Sequence, residues 1–326
     1  MGSTTSTTLG SPESEHGYLA ESVGHALRVS RSRFHLFAPP IPAHVEPKLA
    51  PHRTCSGESL KPCSHLSVID PHYCGGQALS LICRRYTDGV TKLRVDIWSD
   101  IACPWCYVGK RRFESALSRF PHAVETEVVW RAFELDPSAP RESDGTISYS
   151  DRLARKYHSP PEEATAMIAR MTDIARADGL PFDFARIRPG NTFDAHRLLH
   201  FAYENGRQDQ VKERLLRGYL CEGESIGDRD VLVRLAAEAG LAGGDVRAAL
   251  LGDAYVREVR ADESEAAELG ISGVPFFVLG GRYAVSGAQP ADVLLAALDQ
   301  AWTDLATAAA VLTDGPACGP DGCQSQ

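Results

Sequence analysis

Between residues 93 and 98 the run LRVDIW places an apolar side chain at every second position and ends on the polar pair Ser99-Asp100, the pattern of a short strand. From Cys103 the stretch CPWCYVGKRRFESALSRF changes period. Val108, Phe113, Leu117 and Phe120 roughly follow helical spacing, Pro104 suits the first helical position, and Pro121 ends the run. VETEVVWRAFEL (124–135) alternates again as a second strand, so the three segments open a βαβ unit.

From about 150 to 266 the pattern is helical, through YSDRLARKYH, PEEATAMIARMTDIARADG, NTFDAHRLLHFAYENG, QVKERLLRGYLCEG and RDVLVRLAAEAG. Gly or Pro marks most joins, and Asn191 or Thr192 is a candidate cap with Asp194 in the following turn. A further helix, GDAYVREVRADESEAAELG, precedes VPFFVLGGRYAVSG, two apolar runs about Gly280-Gly281 that signal a hairpin. QPADVLLAALDQAW closes the order βαβ, helical block, α, ββ, α, with no internal repeat.

Composition divides the chain. Residues 1–89 hold seven of eleven histidines and four of nine cysteines but none of the four tryptophans, and they show no sustained period. Such a segment buries too little apolar surface to offset chain entropy, so a disordered leader is expected. It lacks the basic start and apolar run of a secretory signal, and Val90 is a candidate alternative start. The remainder carries 26 Lys and Arg against 36 Asp and Glu. The net charge of −9 provides no basic footprint for nucleic acid, and no window approaches the roughly 18 apolar residues of a membrane span.

The candidate chemistry is Cys103-Pro104-Trp105-Cys106. A helix N-terminus stabilises thiolate, which makes Cys103 the expected nucleophile and Cys106, one turn in, the resolving thiol. A zinc half-site would want a partner pair, whereas Cys221 and His196 stand alone. Inert core thiols would sit among apolar neighbours rather than after Ser-Asp and beside Pro. A redox couple is the preferred reading. In GISGVPFF (270–277) the Val274-Pro275 bond, after a Gly-rich turn, is a candidate for cis geometry.

These features together resemble the DsbA family of thioredoxin-fold proteins, and VDIWSDIACPWCYVGKRRFE, NTFDAHRLLHFA and GISGVPFFVLGGRYAVSGAQP look like its FrnE-type branch over residues 93–302. The resemblance implies an α/β fold, a thioredoxin-like core (βαβ … ββα) from 90–140 and 253–305. An all-helical insertion over 141–252 would interrupt it, and a flexible tail would span 306–326. It also implies that the dithiol faces Val274 and Pro275, which with Pro104 and Trp105 would bind substrate. The resemblance leaves the buried acid of thioredoxins open. Asp96 lies seven residues before Cys103, one more than the thioredoxin spacing, and Asp100 is the other candidate proton relay. A solvated strand end or a cap carboxylate explains either equally well.

His196 and His200, one turn apart, have metal-binding spacing without an accompanying acid, so packing is preferred. A similar Asn-Thr and Ala-His-Arg-Leu segment in kappa-class glutathione transferases and hydroxychromene-carboxylate isomerases suggests that Asn191 and His196 approach the cleft. In the tail, Gly319-Pro320-Asp321-Gly322 is a turn between Cys318 and Cys323, a candidate second dithiol as in some FrnE-type proteins, or else a frayed end. Cys221 reads as a buried thiol, and Cys55, Cys63, Cys74 and Cys83 match no framework.

The expectation is a cytoplasmic thiol–disulfide oxidoreductase, reductase or isomerase rather than oxidase, with no metal or organic cofactor. Its expected partners are protein or small-molecule thiols and disulfides, glutathione among them, with no nucleic acid and no membrane. A glutathione-dependent isomerase or transferase, and a non-catalytic chaperone or metal-responsive binding module, are the alternatives.

Overall fold

A computed structural model describes residues 92–142 and 147–313, together with a two-residue strand at His35–Leu36. The strands are β1 (His35–Leu36), β2 (Leu93–Ser99), β3 (Thr126–Ala132), β4 (Phe276–Leu279) and β5 (Tyr283–Ser286). The helices are α1 (Pro104–Arg119), α2 (Tyr149–Tyr157), α3 (Pro161–Ala177), α4 (Phe193–Glu204) and α5 (Gln208–Arg217), then α6 (Arg229–Glu238), α7 (Gly243–Leu251), α8 (Val256–Leu269) and α9 (Ala291–Thr313). A π-turn at Gly218–Glu222 continues α5.

The sheet is mixed, in the order β1-β5-β4-β2-β3. β2 pairs in parallel with β3, Val95 opposite Val128, and antiparallel with β4, Val95 opposite Leu279. β4 and β5 form the expected hairpin, in which Gly280 and Gly281 take φ of 58° and 67°, a conformation that favours glycine at both turn positions.

Strand alternation sorts the side chains. Leu93, Val95, Ile97, Phe277 and Leu279 pack with Phe113, Ala116 and Phe120 of α1 and with Leu294, Ala297 and Leu298 of α9. Trp98, Phe276 and Val278 pack on the other face with Ala266 of α8 and with Ile271. β4 is buried on both faces, which is why it reads as an unbroken apolar run. The result is a mixed sheet covered by α1 and α9 on one face and by α8 on the other, with α2–α7 inserted between β3 and α8. The apolar residues of those helices share one cluster with Ile101, Tyr107 and Val108 at the start of α1, so the insertion packs directly against the dithiol helix.

Three boundaries differ from the sequence reading. β1 pairs in parallel with β5 at His35 and Tyr283, where no strand is expected. The expected helix from Gly252 begins at Val256, after Tyr255 takes φ 63°; the Tyr255 hydroxyl bonds Glu204 at 2.5 Å. α9 runs to Thr313 rather than giving way to a flexible tail at 306, because LATAAAVLT is rich in strong helix formers.

Candidate active site

Cys103 is the N-cap residue of α1, in extended geometry, with Pro104 in the first turn and no acidic side chain there. The Cys106 amide bonds the Cys103 carbonyl at 3.0 Å, which sets the two cysteines one turn apart. Cys103 is 4% exposed and Cys106 is wholly buried; Trp105 between them is 38% exposed. Both thiols are free.

The Val274–Pro275 bond is cis, and the Val274 carbonyl lies 3.6 Å from Cys103 Sγ. Pro275 is buried at the start of β4 and held by a 2.8 Å bond from the Gly287 amide to its carbonyl. Gly109 makes this approach possible. A Cβ there would stand 2.8 Å from Pro275 Cγ, so the helix carries a glycine where the proline ring abuts it.

Behind the dithiol lies a buried polar group of side chains. Asp100, on the turn from β2 into α1, accepts from the Leu135 amide at 2.8 Å and the Ala102 amide at 3.3 Å. His196 of α4 brings Nε2 to 3.4 Å from Asp100 Oδ1, both side chains being buried. Burial alone would push the Asp100 carboxyl up, but His196 and the two amides outweigh it and hold the group below its ordinary value. Ser99 is buried beside Cys106, and Lys212 of α5 is buried with its ammonium 5.4 Å from the Trp130 ring centroid.

These neighbours make the two thiols unequal. Burial would push Cys106 up, yet the hydrogen bond from Cys103, the Lys212 charge and the Ser99 hydroxyl together bring it below an ordinary thiol. Cys103 is pushed up, first by that same hydrogen bond and then by burial. The pair therefore releases one proton readily and holds the other tightly.

Of the two candidate relays, Asp100 lies on the dithiol side, in the turn that leads into α1. Asp96 lies elsewhere: it points to the α8 side of β2 with Trp98, where Arg94 binds it at 2.9 Å and Arg131 at 2.7 Å. Strand parity decides this, since Leu93, Val95 and Ile97 take the α1 side. Asn191 is engaged in the turn before α4. Its Oδ1 accepts from the Phe193 amide at 2.9 Å, opening α4, and its Nδ2 donates to Glu134 at 3.1 Å. His200 serves another site, bonding Asp262 at 2.9 Å. Cys221 is half-buried and its thiol is pushed up to about 11 by burial. Cys318 and Cys323, like the leader cysteines, lie outside the described residues. Among the described residues no group of three or more His, Cys, Asp or Glu is placed to hold a metal ion, and no helix is long and apolar enough to cross a membrane.

Lys212 escaped the sequence reading, although a signal was present. In QVKERLLRGY it is in phase with Leu215, Leu216 and Tyr219, all buried, so a lysine occupies a core position of an amphipathic helix.

The chain matches the family described as DSBA-like thioredoxin domain over residues 94–299. It is 29% identical over 204 residues to the uncharacterized protein YwbO of Bacillus subtilis, which spans 62% of this chain and 93% of that protein. Among solved structures, a probable DsbA oxidoreductase from Streptomyces coelicolor is 47% identical, with a TM-score of 0.62 over 72% of this chain and 99% of that one. A putative protein disulfide isomerase from Nitrosomonas europaea, 18% identical, superposes with a TM-score of 0.51 over 65% of this chain and 98% of its own, a likeness of fold.

Proposed function

The chain belongs to the DSBA-like thioredoxin domain family, and from that premise we propose that it is a thiol–disulfide oxidoreductase of the FrnE-type branch working through Cys103 and Cys106. The observation that carries this reading is the position of Cys103: at the N-cap of α1, the more accessible of the two sulfurs, 3.6 Å from the Val274 carbonyl.

In the reducing direction a proton passes from Cys103 to Cys106 along their hydrogen bond, and the Cys103 thiolate attacks a substrate disulfide. One substrate sulfur leaves as thiolate while the other stays bonded to Cys103. Cys106, deprotonated in turn, attacks the Cys103 sulfur, closes the protein disulfide and releases the second substrate thiolate. Because Cys106 begins as thiolate, the pair supplies one proton and solvent the other to the two product thiols, and two electrons pass from protein to substrate. Isomerisation uses only the attack and release.

Trp105, Pro104, Val274 and Pro275 form the surface on which an extended peptide or a small thiol such as glutathione would lie. Reduction and isomerisation are the favoured directions in a cytoplasmic setting, where dithiols rest reduced. The cycle needs no metal or organic cofactor.

The test is trapping. Cys106→Ser protein treated with a disulfide-bonded peptide should accumulate one mixed disulfide, mapped to Cys103 by peptide mass, whereas Cys103→Ser should trap nothing at Cys106. Substrate turnover that survives Cys106→Ser, with no trapped adduct, would instead favour a glutathione-dependent isomerase or transferase.

A further inference from the structure

The insertion is fastened to the core by the first turn of α5. β3 is an edge strand, and on its open side the backbone of Trp130 is paired by a side chain: the Trp130 amide donates to Gln208 Oε1 and Gln208 Nε2 donates to the Trp130 carbonyl, both at 2.9 Å. Trp130 Nε1 donates to Asp209 at 3.0 Å. These bonds fix the rotation and height of α5, and one turn later the helix delivers Lys212 into the interior.

Lys212 is wholly buried and its Nζ has no hydrogen-bond partner among the described residues. A buried ammonium normally has an ion partner, because its desolvation is expensive. The groups facing it are Cys106, Cys103 and Lys110 of α1, Asp100 on the turn before α1, and the Trp130 ring of β3. The acids of its own helix are committed elsewhere: Asp209 to Lys110 at 3.1 Å, and Glu213 to Arg111 and to Tyr107. Burial brings the ammonium down to about 8, with the Cys106 sulfur the largest influence in the opposite direction.

We propose that Lys212, contributed by the helical insertion, is a positioning charge for the resolving thiol: its ammonium holds the Cys106 sulfur as thiolate in the dithiol state and loses that partner when the disulfide closes. The inference rests on the dithiol cycle proposed above. It makes the ionisation of a lysine in the insertion follow the redox state of the core. In the dithiol state the charge of the Cys106 thiolate favours the protonated lysine. When two electrons leave and the sulfur–sulfur bond forms, the thiolate charge is gone and the lysine more readily releases its proton to solvent. Stabilising the thiolate also stabilises the reduced form, so Lys212 makes the pair more oxidising than it would otherwise be.

The full chain labelled with 13C-cysteine and 13C-lysine tests this. In the reduced protein, Lys212→Met should raise the lower thiol titration, read at the cysteine Cβ resonances, by about one pH unit, and Lys212→Arg should restore part of the shift. In glutathione buffers Lys212→Met should favour the disulfide about tenfold, which is about 30 mV for a two-electron couple. Where a variant fails to fold, the unmodified protein decides: the Cε resonance of the depressed lysine should titrate at lower pH in the disulfide form than in the dithiol form. Thiol titrations and an equilibrium unchanged by Lys212→Met, or lysine titration identical in the two redox states, would overturn the proposal. Absence of any reversible Cys103–Cys106 disulfide in the unmodified protein would overturn the redox cycle instead, a separate outcome, since the thiol titration of the reduced pair is read without it.

Discussion

His196 and His200 leave the same helix one turn apart and reach two buried carboxylates in opposite situations. On the α8 side, Asp262 is fully engaged: His200 at 2.9 Å, Arg131 at 2.7 Å and the Ala132 amide at 2.8 Å, while its carbonyl accepts from Trp98 Nε1 at 2.9 Å. On the dithiol side, His196 stands 3.4 Å from Asp100, its Nδ1 has no hydrogen-bond partner among the described residues, and Lys212 has none either. A satisfied network fixes one arrangement of α4, α8 and β3. A cluster with spare donors beside two sulfurs can respond when the charge on those sulfurs changes. The difference separates a polar site that holds the fold from one that, in the proposed cycle, serves chemistry.

That contrast can be broken at each end. The largest expected effect is at the sulfurs: Cys103→Ser should lower disulfide turnover about a thousandfold or more, measured with a fluorogenic disulfide substrate, with the thermal transition little changed. Next is Asp262→Ala, which leaves His200 and the Ala132 amide without their partner and Arg131 with Asp96 in place of two carboxylates. It should cost about 2–3 kcal/mol in urea unfolding while leaving the thiol titrations in place. If the two clusters were equivalent, both readouts would move together.

Lys212→Met should act with the opposite sign on stability. The folded lysine titrates near 8 against an ordinary 10.5, so between those values the unfolded chain binds more protons and stability rises with pH. Below about 8 the burial penalty is present in full. Replacing the lysine should therefore stabilise the protein at pH 7, by up to about 3 kcal/mol, and the gain should fade as pH climbs towards 10.5. A net loss of stability at pH 7 would mark Lys212 as structural support. The smallest effect belongs to Gly109→Ala. The added methyl meets Pro275 Cγ at 2.8 Å, and the better helix propensity offsets part of the clash. A net loss of about 1 kcal/mol and a several-fold slower formation of mixed disulfide should follow.

Much of this was legible in the chain. Local signals were enough for β2, α1, the hairpin at Gly280-Gly281 and the pairing of the Cys-x-x-Cys motif with a late Val-Pro, because period, caps and turn residues all act within a few positions. Strand parity already placed Asp96 in question, and the structure assigns it to the α8 face. The cluster behind the sulfurs was only partly legible. Asp100 was marked by its position before the helix and His196 by a family-like segment, but their meeting spans 96 residues of chain, and no local pattern encodes it. Lys212 carried a readable anomaly, a charge in the apolar phase of a helix. Its neighbour across the core depends on how Gln208 docks to the open edge of β3.

Whether Cys103 and Cys106 form a reversible redox couple is decided by the equilibrium of the full chain against glutathione buffers, followed by thiol trapping with each cysteine mapped by mass. The expected result is a Cys103–Cys106 disulfide that opens and closes reversibly, with a potential within or above (less negative than) a cytosolic poise of roughly −220 to −320 mV, so that the pair rests reduced. Failure of these two residues to join under oxidising buffer, in a folded protein, would contradict it.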